Sequence, residues 1–418
     1  MLTLLLVALL AARPAIGSAQ TVAQLVRSDD LTVLQSIGVP GAWGRTRGAG
    51  VTVAVLDTGV DTSAPDLTGS VTVGPDYTAG ADPPGYQPPY LHGTYICSII
   101  AGHGSGPGEA EGMLGVAPQA RILSVRVILD DSEPGFAVYN GNAAYDDAIA
   151  NGIDYAVAHG ASVINMSLGS QGATRSLRQA IAGAVARGVV VVAAAGNDGT
   201  SGGGFTSYSY PAAFTGVIAV GAVGAGGQRA SFSDRNSSVV VSAPGVNIDG
   251  AGPGGQYIVG DGTSPASAFV AGVAALIRSA YPHLTPVQVM QAIVTSTTLR
   301  PAGGYSPAVG FGEVNAAAAL TAAGHLDQPV AGASGHPAAA HFGHGRVGPI
   351  VVVPRDTAQI AAPAAVGFAA LIGFLATSAT LVAGGRRRRR RALVGRVPAS
   401  SQSAAHDLQM RGPDDDTA

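Results

Sequence analysis

The sequence predicts an α/β protein: a doubly wound, mostly parallel sheet with helices on both faces, plus one C-terminal transmembrane helix. Three observations carry this expectation. Short β-branched runs alternate with longer helical stretches through the middle of the chain, the pattern of a parallel sheet whose crossovers cover both faces. A composition 47% hydrophobic and 12% charged over 418 residues supplies a large core and excludes a disordered polyelectrolyte. An uncharged apolar stretch, 360–383, runs almost directly into the six arginines 386–391, and it meets the ~20 residues needed to cross ~30 Å of hydrocarbon.

Taken in chain order, 1–19 is an apolar run ending in small residues, the pattern of a secretory signal peptide. A short extension, 20–37, leads into a body over 38–323. Within the body, strands are expected at 51–56, 122–128, 163–166, 189–194 and 217–220, where β-branched residues cluster. Helices are expected at 142–158, 175–187 and 264–280, with another opening at His92. A Gly-, Ala-, Pro- and His-rich segment, 324–359, follows as a flexible spacer. Its histidines are irregularly spaced with no carboxylate cluster, so no metal site is expected. The arginine run lies in a basic tail, 384–418. By the positive-inside rule it stays cytoplasmic, which puts the body outside the cell membrane and the C-terminus inside.

Net charge and cysteine count narrow the function. The formal charge is −3, and removing the six arginines of the run leaves −9. No basic stripe exists elsewhere, so a nucleic-acid partner is excluded. Cys97 is the only cysteine, which excludes an intramolecular disulfide and a Cys-based zinc site.

In open α/β sheets, functional residues gather beyond the carboxyl ends of the strands. Four signals stand there. The first strand ends in Asp57-Thr58-Gly59, where the acid could bind metal, orient a histidine or cap a turn. His92-Gly93-Thr94 opens the apolar run YICSIIAG. Asn197 ends the run VVVVAAAGN, where an Asn also suits a turn. Ser264 opens a long apolar helix within Gly262-Thr263-Ser264-Pro265-Ala266, where Ser is also a favoured cap. Each alone has an ordinary explanation. Together they supply an acid, a base, a nucleophile and an amide donor, the functions that hydrolysis of an unactivated amide requires.

The order Asp, His, Ser with DTGVD, HGT and GTSPA resembles the subtilisin-like serine protease (subtilase) family. The likeness extends through GVAPQARILSVRV, VINMSLGS, YPAAFTGVIAVGAV and GFGEVNAAAAL, in family order. The resemblance implies that Asp57 orients His92, that His92 is general base and then acid, and that Ser264 is the nucleophile of an acyl-enzyme mechanism. It implies that Asn197 and the Ser264 backbone N–H hold the oxyanion. Ser167, Leu168 and Gly169 would pair with the substrate backbone, and Ala194, Ala195 and Gly196 would line the pocket before the cleaved bond. The chain departs from the family at Pro265, which follows the serine, and at Ala268-Phe269, where Pro-His is usual. Family members often bind calcium, so the resemblance makes a calcium ion possible without marking its ligands, and the chemistry needs no cofactor. A narrower resemblance is to the mycosins, membrane-anchored subtilases of type VII secretion systems, through the signal segment, short extension, single C-terminal helix and basic tail. Mycosins usually carry disulfides, which one cysteine forbids. That resemblance implies a polypeptide substrate, a membrane location and secretion-complex partners. The alternatives are a subunit that stabilises such a complex, with hydrolysis secondary, or an unrelated anchored subtilase.

Overall fold

A computed structural model describes residues 20–328, apart from 201 and 203. The expected signal segment, most of the spacer, the segment 360–383 and the basic tail lie outside the described residues. Among the described residues no helix is long and apolar enough to cross a membrane.

Eleven strands are described: β1 (Thr52–Asp57), β2 (Val71–Asp76), β3 (His103–Ser105), β4 (Glu111–Leu114), β5 (Arg121–Arg126), β6 (Val163–Met166), β7 (Val190–Ala194), β8 (Val217–Val223), β9 (Val241–Pro244), β10 (Ile248–Ala251) and β11 (Tyr257–Gly260). Nine α-helices accompany them: α1 (Val22–Ser36), α2 (Val39–Trp43), α3 (Leu91–Ala101), α4 (Phe136–Gly141), α5 (Ala148–Ala158), α6 (Arg175–Ala186), α7 (Thr263–Ala280), α8 (Pro286–Thr295) and α9 (Ala316–Leu326).

Seven strands form one sheet in the order β2-β5-β1-β6-β7-β8-β9, with every adjacent pair parallel. Side chains alternate between its faces, as the two-residue strand period requires. Val53 and Val55 of β1, with Val190 and Val192 of β7, join one apolar core with α3 and α7. Ala54 and Leu56, with Val191 and Ala193, join a second core with Ile153 of α5 and Ile181 of α6. Both faces are therefore covered, as the alternation of runs predicts. The chain leaves β5 on one side of β1 and re-enters as β6 on the other. This reversal opens a crevice at the strand ends, where α/β sites assemble.

Several boundaries differ from the sequence expectation. The segment expected as one helix over 142–158 breaks into a short 3₁₀ turn, Ala143–Tyr145, and then α5. α7 starts at Thr263, with Gly262 as its N-cap. Pro265 is therefore the third helical residue, within the turn whose N–H groups lack helical partners.

The extension before the body is mostly helix. Thr21 and Gln24 form a reciprocal capping box at the start of α1. α1 packs on β4 and β10. Arg27 donates to the carbonyls of Glu109, Glu111 and Gly112, and the buried Asp30 accepts the Leu114 N–H at 2.9 Å.

Candidate active site

Asp57 is the last residue of β1 and is fully buried. Its Oδ1 accepts the Thr58 N–H at 2.7 Å and faces His92 Nδ1 at 2.7 Å. Its Oδ2 is buried with no protein partner among the described residues. The carboxylate therefore spends its local hydrogen bonding on fixing one face of the imidazole. This bond holds Nδ1 as the protonated nitrogen and leaves Nε2 as the basic one.

His92 is the second residue of α3, and its side chain is 31% exposed. The Gly93 N–H donates to Thr58 Oγ1 at 3.0 Å, tying the helix start to the end of β1. A Cβ at Gly93 would lie 1.9 Å from the Gly59 carbonyl oxygen, so only glycine allows this approach. The glycine of the HGT motif is in this sense a packing requirement set by the DTG turn. Burial opposes a charge on His92, but the Asp57 carboxylate, its hydrogen bond and the nearby Asp130 outweigh it. The net effect raises His92 above its ordinary value.

Ser264 lies in the first turn of α7, which packs against α3 and against β6 to β9. Its hydroxyl donates to the Ser167 carbonyl at 3.2 Å rather than to His92. The Ser264 carbonyl in turn accepts from Ser167 Oγ at 3.0 Å and Ser267 Oγ at 2.8 Å. Its backbone N–H has no partner among the described residues, as expected of the first helical turn, and remains a free donor at the positive end of α7.

Asn197 follows β7. Its Oδ1 accepts both the N–H and the hydroxyl of Thr263, each at 2.9 Å. With the oxygen occupied in this way, the Nδ2 amide is the end left to donate. Thr263 also accepts the Gly196 N–H at 3.2 Å. The sequence motif contains Thr263 and Thr58, but their orienting roles were not read from it, because each depends on a partner tens of residues away.

A cavity of about 290 Å³ sits beside Ser264 and Asn197, walled by Ser167, Leu168, Gly169, Ala194 and Gly196. Asp198 and Ser209 also line it, and neither was expected from the sequence. Ala195, expected on the same wall, is fully buried and does not line the cavity; its N–H donates to the Val220 carbonyl. Successive side chains at a strand end point to opposite sides, so Ala194 and Gly196 cannot share the wall with Ala195. A second cavity of about 470 Å³ lies on the far side of Leu168-Gly169-Ser170, with Ile128, Phe136 and Tyr139 contributing apolar surface. Among the described residues no group of three or more His, Cys, Asp or Glu is arranged to hold a metal.

The chain resembles known proteins over this same region. It is 41% identical over 251 residues to subtilisin E of Bacillus subtilis (strain 168), a match covering 60% of this chain and 61% of that protein. It is 38% identical over 288 residues to subtilisin BL of Lederbergia lenta, covering 68% of this chain and 97% of the relative. Among solved structures, MycP1 from Mycobacterium smegmatis superposes with a TM-score of 0.59 at 30% identity, covering 69% of this chain and 83% of that one. Fervidolysin from Fervidobacterium pennivorans, described as a keratinolytic enzyme related to subtilisin, gives 0.60 at 32% identity, covering 72% of this chain and 47% of that one. The peptidase S8 (subtilase) family model matches residues 48–312, which contain Asp57, His92, Asn197 and Ser264. With its parallel sheet, the carboxylate–imidazole pair at one strand end and a serine opening the central helix, the chain belongs to the subtilase family.

Proposed function

We propose that the chain is a serine endopeptidase anchored in the cell membrane with its body outside, acting on extended polypeptides near a type VII secretion complex. The single observation that carries the hydrolytic reading is the 2.7 Å Asp57–His92 contact. It is joined by Ser264 at the start of α7 and by Asn197 with its amide oxygen taken up by Thr263. The substrate backbone runs along Ser167-Leu168-Gly169 as an added strand. A side chain before the cleaved bond enters the smaller cavity, and one further upstream meets the larger, more apolar cavity across Leu168.

The reaction begins when the Ser264 hydroxyl swings from the Ser167 carbonyl toward His92. Its oxygen attacks the scissile carbonyl carbon as its proton passes to His92 Nε2, and Asp57 stabilises the imidazolium. The carbonyl electron pair moves onto oxygen, where the Asn197 amide and the Ser264 N–H receive it. Collapse expels the amine, which takes the proton from His92 and leaves Ser264 acylated. Water then repeats both steps and restores the serine.

The membrane and secretion parts of this reading rest on the apolar segment 360–383, the adjoining arginines, and the likeness to MycP1, whose structure is described as from the ESX-1 type VII secretion system. The hydrolytic part is tested with purified protein on a fluorogenic peptide series. Ser264→Ala and His92→Ala should each lose about 10⁶ in kcat, with little further loss when combined, figures borrowed from subtilisin itself. Hydrolysis within tenfold of wild type in Ser264→Ala would overturn the assignment.

A further inference from the structure

Asn197 makes no backbone hydrogen bond of its own among the described residues. Thr263 holds its side-chain oxygen, and its main chain is placed by what holds the residues on either side. The turn 196–200 is laced to the segment 229–234, which lies between β8 and β9. Asp234 N–H donates to the Gly196 carbonyl at 3.0 Å, and Gly199 N–H donates to the Phe232 carbonyl at 2.7 Å. The Asp198 N–H donates to Asp234 Oδ1 at 2.9 Å, and Arg229 Nη2 donates to the Thr200 carbonyl at 2.9 Å. Among the described residues, Asp234 is the one that grips the turn on both sides of Asn197, through its main chain before it and its side chain after it.

We propose that Asp234 is a positioning residue that aims the Asn197 amide at the developing oxyanion. The inference rests on the reading of Asn197 as an oxyanion donor. Asp234 is 1% exposed, and its other carboxylate oxygen lies 2.2 Å from where a Cβ on Gly196 would sit. The side chain is therefore wedged directly behind the turn. Burial and the neighbouring Asp198 push its carboxyl up to about 6, against the Asp198 N–H, the Thr206 hydroxyl and Arg229, which favour the charge. At pH 8 it is ionised, and an ionised acceptor holds an N–H more strongly than a neutral one.

A donor displaced by about 1 Å from the oxyanion can lose about 10² in rate. Contacts realised only in the transition state change kcat rather than KM. Removing the Asp234 side chain should therefore lower kcat by about tenfold to a hundredfold at pH 8 with KM nearly unchanged. A merely structural residue would lower melting temperature, and active fraction along with it, without this split.

The experiment compares Asp234→Ala, Asp234→Asn, Asn197→Ala and the double variant Asn197→Ala/Asp234→Ala on one peptide substrate. Active sites are counted by an irreversible serine-directed fluorophosphonate. Asp234→Asn keeps an acceptor for the Asp198 N–H and should stay within about threefold of wild type. The double variant should lose no more than Asn197→Ala alone, because Asp234 acts only through that amide. Where Asp234→Ala does not fold, Asp234→Ser, too short to reach the Asp198 N–H, takes its place. If Asn197→Ala is impaired but the Asp234 variants are not, or if the two losses multiply in the double variant, the positioning role is wrong and the proposed function stands. If Asn197→Ala itself leaves kcat unchanged, the oxyanion reading fails, and the Asp234 inference fails with it.

Discussion

Asp30 makes the docking of α1 sensitive to pH. Asp30 is 4% exposed, and burial pushes its carboxyl from 3.8 up to about 8. The Leu114 N–H and Arg27 pull it down, while Asp249 and Asp66 push it up further. A carboxyl raised on docking stays protonated in the docked state after the undocked state has ionised. The stabilisation is complete below about pH 4 and declines as pH rises, until the docked carboxyl ionises near pH 8. Within that window the slope is about 1.4 kcal/mol, or tenfold, per pH unit. Raising the pH from 5 to 7.5 should therefore weaken α1 docking by about 3 kcal/mol, roughly 300-fold in the opening equilibrium. Asp30→Asn keeps an oxygen for the Leu114 N–H but cannot ionise, and should remove the slope. The assay is amide hydrogen exchange across α1 at both pH values, corrected for the intrinsic pH dependence of exchange. Wild type should lose protection over 22–36 between pH 5 and 7.5 while Asp30→Asn does not. Equal pH dependence in the two proteins would refute the argument.

Three further outcomes are expected. Under the proposed mechanism, activity should rise with pH through a limb centred above 6.5, because His92 would have to be neutral to accept the Ser264 proton and its neighbours raise it. Asp130→Asn removes one of those charges and should move the limb to lower pH; a limb that stays in place would show that Asp130 does not act on His92. Thr263→Val keeps the N–H to Asn197 Oδ1 but loses the hydroxyl's bond to that oxygen and its acceptance of the Gly196 N–H. At about 1 kcal/mol for each of the two hydrogen bonds, kcat should fall about thirtyfold, and an unchanged kcat would count against the orienting role. Arginines at Leu371 and Phe374 should release the body from the membrane fraction, since each costs roughly 2.5–3.5 kcal/mol at a span centre. A body that still sediments with membranes would remove the anchor from the proposal.

The strands β1, β5, β6, β7 and β8 were legible from their β-branched runs, since they are buried on both faces over most of their length, with only Ser124 in β5 and Asn165 in β6 as polar residues in mid-strand. The edge strand β2 was not, because Gly74-Pro75 breaks its pattern and proline belongs at sheet edges rather than in central strands. β9, on the other edge, is short and ends in Pro244. α1 escaped notice because its middle reads Arg27-Ser28-Asp29-Asp30. A helix so polar owes its stability to docking, and propensity says little about that.

The positions of Asp57, His92, Asn197 and Ser264 could be read without coordinates. Each is marked by a local transition, an apolar run that ends or begins at Gly, Ser or Thr, and local transitions are written in neighbouring residues. What they touch could not be read in the same way. Asp30 meets a backbone amide 84 residues on, and the Ser264 hydroxyl meets a carbonyl 97 residues back. The Asp198 N–H donates to Asp234 Oδ1, 36 residues away. The inward turn of Ala195, the aim of the Asn197 amide and the proton held on Asp30 each follow from which distant segments the sheet order brings together. Burial of those groups sets the energies, and burial is a property of the assembled layers.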